Sequence, residues 1–326
     1  MHPADGSFFI ADGHCDTVHL FAREDYQFGR RNTKGHLDLC RLREGGVKLQ
    51  FFALFIEPEY KPYQALQRAL QLAGHLLREI NKHREEIVLV KTIKDLEECL
   101  QWPKIAALMA LEGGEPLEGG TEIVEVFYRL GLRCVGLTWN QRNGLADGVG
   151  VGRAAGGLTK AGKILVRSLH RLGIVVDAAH LAPRSFYDLL ETAEKPVFVS
   201  HANAKALCAH PRNLDDEQLR ALREQGGVMG MSFYPGFIAQ NNTATLEHLL
   251  DHFCHVAEVA GVEILALGSD FDGIETVLPE LPDVTCLPVL VEGLQRRGFS
   301  PTEVQAILGG NVLKLVRSNL LQEEVL

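Results

Sequence analysis

Apolar positions along the chain fall into two patterns that alternate. Eight short runs, with approximate limits 7–14, 47–57, 105–112, 132–139, 174–180, 196–202, 226–233 and 264–270, are mostly continuously apolar, as parallel strands buried on both faces are. Between them lie segments such as 63–72, 159–172, 183–193 and 243–260, whose apolar residues recur mostly at three- and four-residue spacing, the period of a helix with one buried face. Strand alternating with helix eight times predicts an α/β fold, a single (β/α)8 TIM barrel over residues 1–326 with a helical extension at its C-terminal end. A doubly wound open sheet is the competing architecture. It gathers functional groups at one switch point, whereas here they arise from the first, third, fifth, sixth and eighth runs.

Those functional groups are the polar residues on which five of the runs close. The first ends in Asp12-Gly13-His14-Cys15-Asp16, and the others end on Glu112, His180, His201 and Asp270. Residues i and i+2 of a strand share a face, so His14 and Asp16 can point into one site. Imidazole and carboxylate together suit zinc or a similar divalent metal. Three histidines and up to three carboxylates exceed the needs of one tetrahedral ion, so two ions about 3.5–4 Å apart sharing a carboxylate are the more economical reading. Glu112 is the natural bridge, because Gly113-Gly114 behind it allow a sharp turn and close backbone approach. Taken singly, Glu112 reads equally well as a surface carboxylate, and His180 or His201 as a core imidazole. Their joint placement at the ends of different strands reverses that reading.

The remaining histidines are weaker. His248, His252 and His255 recur at helical spacing, but no H-E-x-x-H pattern is present, so a solvated or packing face is expected. His36, His75, His83 and His170 are expected at the surface. Ser300-Pro301-Thr302-Glu303 reads as a capping box opening a helix, with Gly309-Gly310-Asn311 separating it from 312–317.

Composition narrows the partners. With 46% hydrophobic residues the chain can bury a sizeable core, while a formal net charge of −9 without a Lys/Arg cluster argues against nucleic acid or an anionic membrane. A small-molecule substrate is the default. Seven scattered cysteines without a C-x-x-C pair suit reduced thiols in a cytosolic protein, and Cys15 is expected to pack on the face opposite His14 and Asp16. No targeting segment, membrane span or lipid-anchor tail is read, so a soluble cytoplasmic protein is expected.

At this point the residues resemble the membrane dipeptidase (renal dipeptidase) family of zinc metallopeptidases, within the amidohydrolase-like barrels. Asp12-Gly13-His14-Cys15-Asp16 is similar to its D-G-H-x-D opening and Leu111-Glu112-Gly113-Gly114 to its E-G-G bridge. Ala179-His180 and Ser200-His201 resemble its two later histidines. Arg212-Asn213, eleven residues past His201, resembles its substrate-binding Arg-Asn; Gly268-Ser269-Asp270-Phe271-Asp272-Gly273 and Gly309-Gly310-Asn311 resemble its G-x-D-F-D-G and G-G-N. The resemblance implies two Zn2+ per chain, one held by His14 and Asp16, the other by His180 and His201, with Glu112 bridging. It implies that Arg212 binds the C-terminal carboxylate of a dipeptide, that Tyr234 lines the pocket, and that Asp270 contacts substrate and moves the proton while a metal-bridged hydroxide attacks. It also implies tolerance of a C-terminal D-residue, and a homodimer.

One position departs from the family's well-known mammalian members, which carry a substrate-contacting His after Leu-Thr. Here the run is Leu137-Thr138-Trp139-Asn140. Trp donates one hydrogen bond but carries neither a proton nor a positive charge, so Trp139 is expected to wall the substrate pocket and alter preference. Two other readings follow: an amidase or lactonase using the same metal pair, and a non-catalytic binding protein on the same barrel.

Overall fold

The computed structural model describes residues 8–118, 120–240 and 243–325. The expected strand start at Ser7 and the terminal residues 1–5 and 326 lie outside them. Nine strands occur in chain order: β1 (Ile10–Cys15), β2 (Val47–Phe55), β3 (Ile87–Leu89), β4 (Ile105–Glu112), β5 (Leu132–Gly136), β6 (Val175–Asp177), β7 (Phe198–Ala202), β8 (Val228–Met231) and β9 (Leu265–Leu267). Eight fall in the expected runs. The ninth, β3, is a three-residue strand that the apolar pattern does not single out. By contrast β1, β4, β5 and β7 are buried at every residue, as strands covered on both faces must be.

The chain divides into two compact units, one comprising Met1–Phe51 and Ser200–Lys314, the other Phe52–Val199 and Leu315–Leu326. The divisions fall within β2, within β7 and within the helix Asn311–Asn319.

In the first unit the strand order is β2-β1-β9-β8-β7, with Asp12 level with Leu267 and Met231 also level with Leu267. Gly230 and Gly268 permit this approach: a Cβ on either would stand 2.1 or 1.8 Å from the Ser200 carbonyl oxygen. Ser300 caps its helix in the expected capping box. Gly309-Gly310, however, does not separate two helices. Pro301–Gln305 continues through a π turn, Ala306–Gly310, directly into Asn311–Asn319. The glycine is there for packing, since a Cβ at Gly309 would lie 2.6 Å from the Phe9 ring and 2.7 Å from its carbonyl oxygen. Asn311 then donates 2.8 Å hydrogen bonds to the carbonyls of Val262 and Leu265. On the helix Leu246–Ala260, His252 is a packing residue: Nδ1 accepts from Ala204 N–H and Nε2 donates to Ile238.

In the second unit β4 is the hub. It pairs with β3 (Ile87 with Ile105), with β5 (Glu112 with Gly136) and with β2; β5 then pairs with β6 and β6 with β7. The helices Ala65–Lys82, Lys160–Arg171 and Pro183–Thr192 match three expected segments. His170, expected at the surface, is 2% exposed, and its Nδ1 accepts the Glu194 N–H at 3.1 Å. The segment Leu315–Leu326 is tied in by Lys195 donating to the Asn319 carbonyl at 2.8 Å, Asn319 to Pro196 at 3.0 Å, and buried Arg133 to Glu324 at 3.1 Å. Among the described residues no helix is long and apolar enough to cross a membrane.

Candidate metal centre

In the first unit four candidate ligands meet at the C-terminal ends of β1, β7 and β9. His14 is in β1, and its Nε2 lies 3.2 Å from Asp16 Oδ2 and 3.8 Å from Asp270 Oδ1. The ring of His201, in β7, is centred 4.0 Å from that of His14. All four residues are buried, none more than 9% exposed. Asp16 is not in the strand but immediately precedes the 3-10 turn Thr17–Ala22, with no side-chain capping hydrogen bond. Asp270 stands three residues past β9 with φ of 65°. That left-handed backbone is tolerated by Asp better than by most side chains.

This grouping fits a cation. One ligand atom each from His14, Asp16 and Asp270 lies within 4.8 Å of the others, and Asp16 Oδ1 is buried without a hydrogen-bond partner among the described residues. Burial pushes the Asp270 carboxyl up to about 7, and Asp16 adds to this while His14 and Arg212 oppose it. Gly273 makes the cluster possible, because a Cβ there would stand 2.1 Å from Asp16 Oδ2 and 2.7 Å from Asp270 Oδ1.

A support network backs it. Asp12 is 1% exposed and accepts from the Ser269 N–H (2.8 Å), the Ser269 hydroxyl (2.6 Å) and Gln50 Nε2 (3.0 Å). It thereby ties β1 to the residue preceding Asp270. Sequence reasoning assigned Asp12 no role, although it shares a strand face with His14. Arg212, 5% exposed, donates to the His201 carbonyl at 2.9 Å, and its guanidinium carbon sits 5.3 Å from the centre of the Phe237 ring. The ring of half-buried Tyr234 meets Phe237 edge-on at 4.9 Å. Cys15 packs away from the ligands, its thiol donating to the Phe51 carbonyl.

In the second unit Glu112 ends β4, and its Oε1 lies 2.8 Å from His180 Nε2, both residues being buried. His180 sits three residues past β6 with φ of 67°. Its Nδ1 lies 2.8 Å from Asn140 Oδ1. An amide oxygen only accepts, so Nδ1 donates to it and Nε2 is the ring nitrogen turned to the Glu112 carboxylate. A buried imidazole nitrogen and carboxylate oxygen so placed fit a shared metal ion, or, with the ring protonated, a direct ion pair. Asn140 is the residue that sequence reasoning missed, though it adjoins Trp139. The Trp139 ring is half-buried and centred 5.9 Å from His180 and 5.2 Å from Phe55. Gly113-Gly114 behaves as expected: Gly113 has φ of 97°, and a Cβ on Gly114 would stand 2.8 Å from the Leu137 carbonyl oxygen.

Comparison with known proteins covers nearly the whole chain. The family described as membrane dipeptidase (peptidase family M19) matches residues 5–325. An uncharacterized dipeptidase of Schizosaccharomyces pombe is 33% identical over 94% of this chain and 80% of its own length. The crystal structure of a dipeptidase described as an M19 metallo peptidase superposes with a TM-score of 0.89 at 29% identity, covering 96% of this chain and 99% of the other. A metallo peptidase from Rhodobacter sphaeroides, liganded with a phosphinate mimic of the dipeptide L-Ala-D-Ala, gives 0.87 at 28% identity over 96% and 99% of the two chains. The (β/α)8 barrel expected from the apolar runs is the fold these structures share with the chain. With that fold, and with buried imidazoles and carboxylates where the D-G-H-x-D and E-G-G patterns fall, the chain belongs to the membrane dipeptidase family and is a metallo-dipeptidase, a peptide-bond hydrolase.

Proposed function

We propose that this chain, acting as one hydrolase domain, uses two zinc ions to cleave dipeptides with a free C-terminal carboxylate, including those ending in a D-residue. His14 and Asp16 would hold one ion and His180 and His201 the other, with Glu112 shared. The observation that carries the reading is the buried approach of His180 Nε2 to Glu112 Oε1 at 2.8 Å, with the ring oriented by Asn140. Tolerance of a D-residue is supported by the dipeptide mimic bound to the Rhodobacter relative.

When bound, the metal pair supplies an activated water and polarises the scissile carbonyl. The protein's own groups do the rest. Asp270, a buried carboxyl whose Oδ1 lies 3.8 Å from His14 Nε2, is placed to take a proton from the water and return it to the leaving amine. Arg212 offers a planar, bidentate guanidinium to the substrate carboxylate, held in place by the His201 carbonyl and the Phe237 ring. Trp139 and Tyr234 wall the substrate, and an indole cannot shuttle the proton, which leaves that task to Asp270.

The direct test is hydrolysis of a panel of L-L and L-D dipeptides by zinc-loaded protein beside a chelated control. Zinc-dependent cleavage is expected for both classes. No cleavage by protein carrying two metals per chain would shift the reading to the amide or lactone alternative, which Trp139 alone favours. Arg212→Met separates the two, since a dipeptidase should lose about 10-fold or more in kcat/KM for dipeptides but little for lactones.

A further inference from the structure

Lys61 has no part in the chemistry above, yet three loops of the second unit converge on it. It follows β2 and the turn Pro58–Tyr60, Glu115 opens the turn after β4, and Trp139 follows β5. Lys61 Nζ lies 3.2 Å from Glu115 Oε1, with the two side chains only 9% and 4% exposed. The same ammonium stands 5.8 Å from the centre of the Trp139 ring and 6.0 Å from that of Phe55. The pair also presses on the backbone beside Glu112: a Cβ at Gly113 would lie 2.6 Å from Glu115 Oε2 and 3.1 Å from Lys61 Nζ.

Burying two charges is costly, and apolar residues of similar size often stabilise as well or better. Neither Lys61 Nζ nor Glu115 Oε2 has an aligned hydrogen-bond partner among the described residues, which adds to that cost. A pair retained on such terms is better explained by what it places than by stability. What it places is a ring: a cation near an aromatic face attracts it, and here it sits against both members of the Phe55–Trp139 pair, 5.9 Å from His180.

We propose that the Lys61–Glu115 ion pair positions the Trp139 ring as the wall of the substrate pocket, so that Lys61 sets substrate preference through Trp139. The proposal rests on the dipeptidase reading only for its kinetic consequence. The chain has two tryptophans, and Trp102 is 66% exposed. In a Trp102→Phe background, Trp139 is therefore the sole fluorescent indole. Lys61→Met should raise acrylamide quenching of Trp139 about twofold and KM for a neutral L-L dipeptide about fivefold, with kcat nearly constant. Lys61→Arg should restore both. If Lys61→Met folds poorly, Lys61→Met/Glu115→Gln removes both charges and should show the same two changes. Unchanged quenching and KM in a variant that has merely lost thermal stability would overturn the proposal. So would a fall in kcat with quenching unaltered. Quenching is read without turnover, so a parent protein that cleaves no dipeptide would sink the substrate reading and leave the positioning claim to be judged on Trp139 alone.

Discussion

At the scale of single residues, the site depends on side chains that hold the ligands as much as on the ligands. Asn140 Oδ1 lies 2.8 Å from His180 Nδ1 and orients the ring. Asn140→Ala is expected to weaken metal binding about 10- to 100-fold, the usual cost of losing such a partner, with thermal stability of the metal-free protein little changed. Metal titration of the variant checks this, and undiminished affinity would remove Asn140 from the site. Gly273 is the second case. Gly273→Ala would force its Cβ onto Asp16 and Asp270, and dipeptide turnover should fall about tenfold or more through displaced carboxylates. Wild-type activity in that variant would mean the two carboxylates need not stay where they are. The candidate ligands were legible as candidates, because His14, Asp16, Glu112, His180, His201 and Asp270 stand at the ends of apolar runs. Their partners were not. Asp12 opens the first motif and Asn140 adjoins Trp139, but nothing in local spacing says that Asn140 reaches His180 and Asp12 reaches Ser269, contacts made between distant parts of the chain.

At the scale of elements, the apolar period found the strands that carry the ligands but not their ends. His180 and Asp270 lie beyond β6 and β9 in left-handed backbone, a conformation set by tertiary contacts rather than by the apolar run. Strand β3 escaped notice because three residues are too short to show a period. Gly309-Gly310 was misread because glycine marks both helix ends and close packing, and only the position of Phe9 decides between them. His170, in the last turn of Lys160–Arg171, was misread because histidine is as often buried as exposed. Burial holds its imidazole down at about 4, and Lys195 adds to the effect. In the unfolded chain it returns to about 6.5. The unfolded state therefore takes up the proton first, so His170's contribution is intact above about pH 6.5 and is lost as the pH falls toward 4. Denaturant unfolding at several pH values should show His170→Gln less acid-sensitive over that window than the parent. Equal slopes would contradict the burial argument. Ser300→Ala, which breaks a capping box, should cost about 1 kcal/mol by the same method.

At the scale of the whole molecule, metal and fold should be linked. Buried imidazoles and carboxylates gain stability when a cation joins them, and a ligand that binds only the folded state raises Tm with its concentration. Melting temperature should climb as free zinc is raised and drop under a chelator, and a Tm indifferent to both would argue against metal at these residues. One feature of connectivity reaches further. Each compact unit is assembled from two separated stretches: the first from residues up to Phe51 and from Ser200–Lys314, the second from Phe52–Val199 and from Leu315 onward. The Lys195–Asn319 and Arg133–Glu324 contacts belong to the second. During synthesis, then, neither unit can finish while the ribosome still holds its later stretch. The early strands of each unit therefore emerge as apolar segments ahead of the residues they pack against.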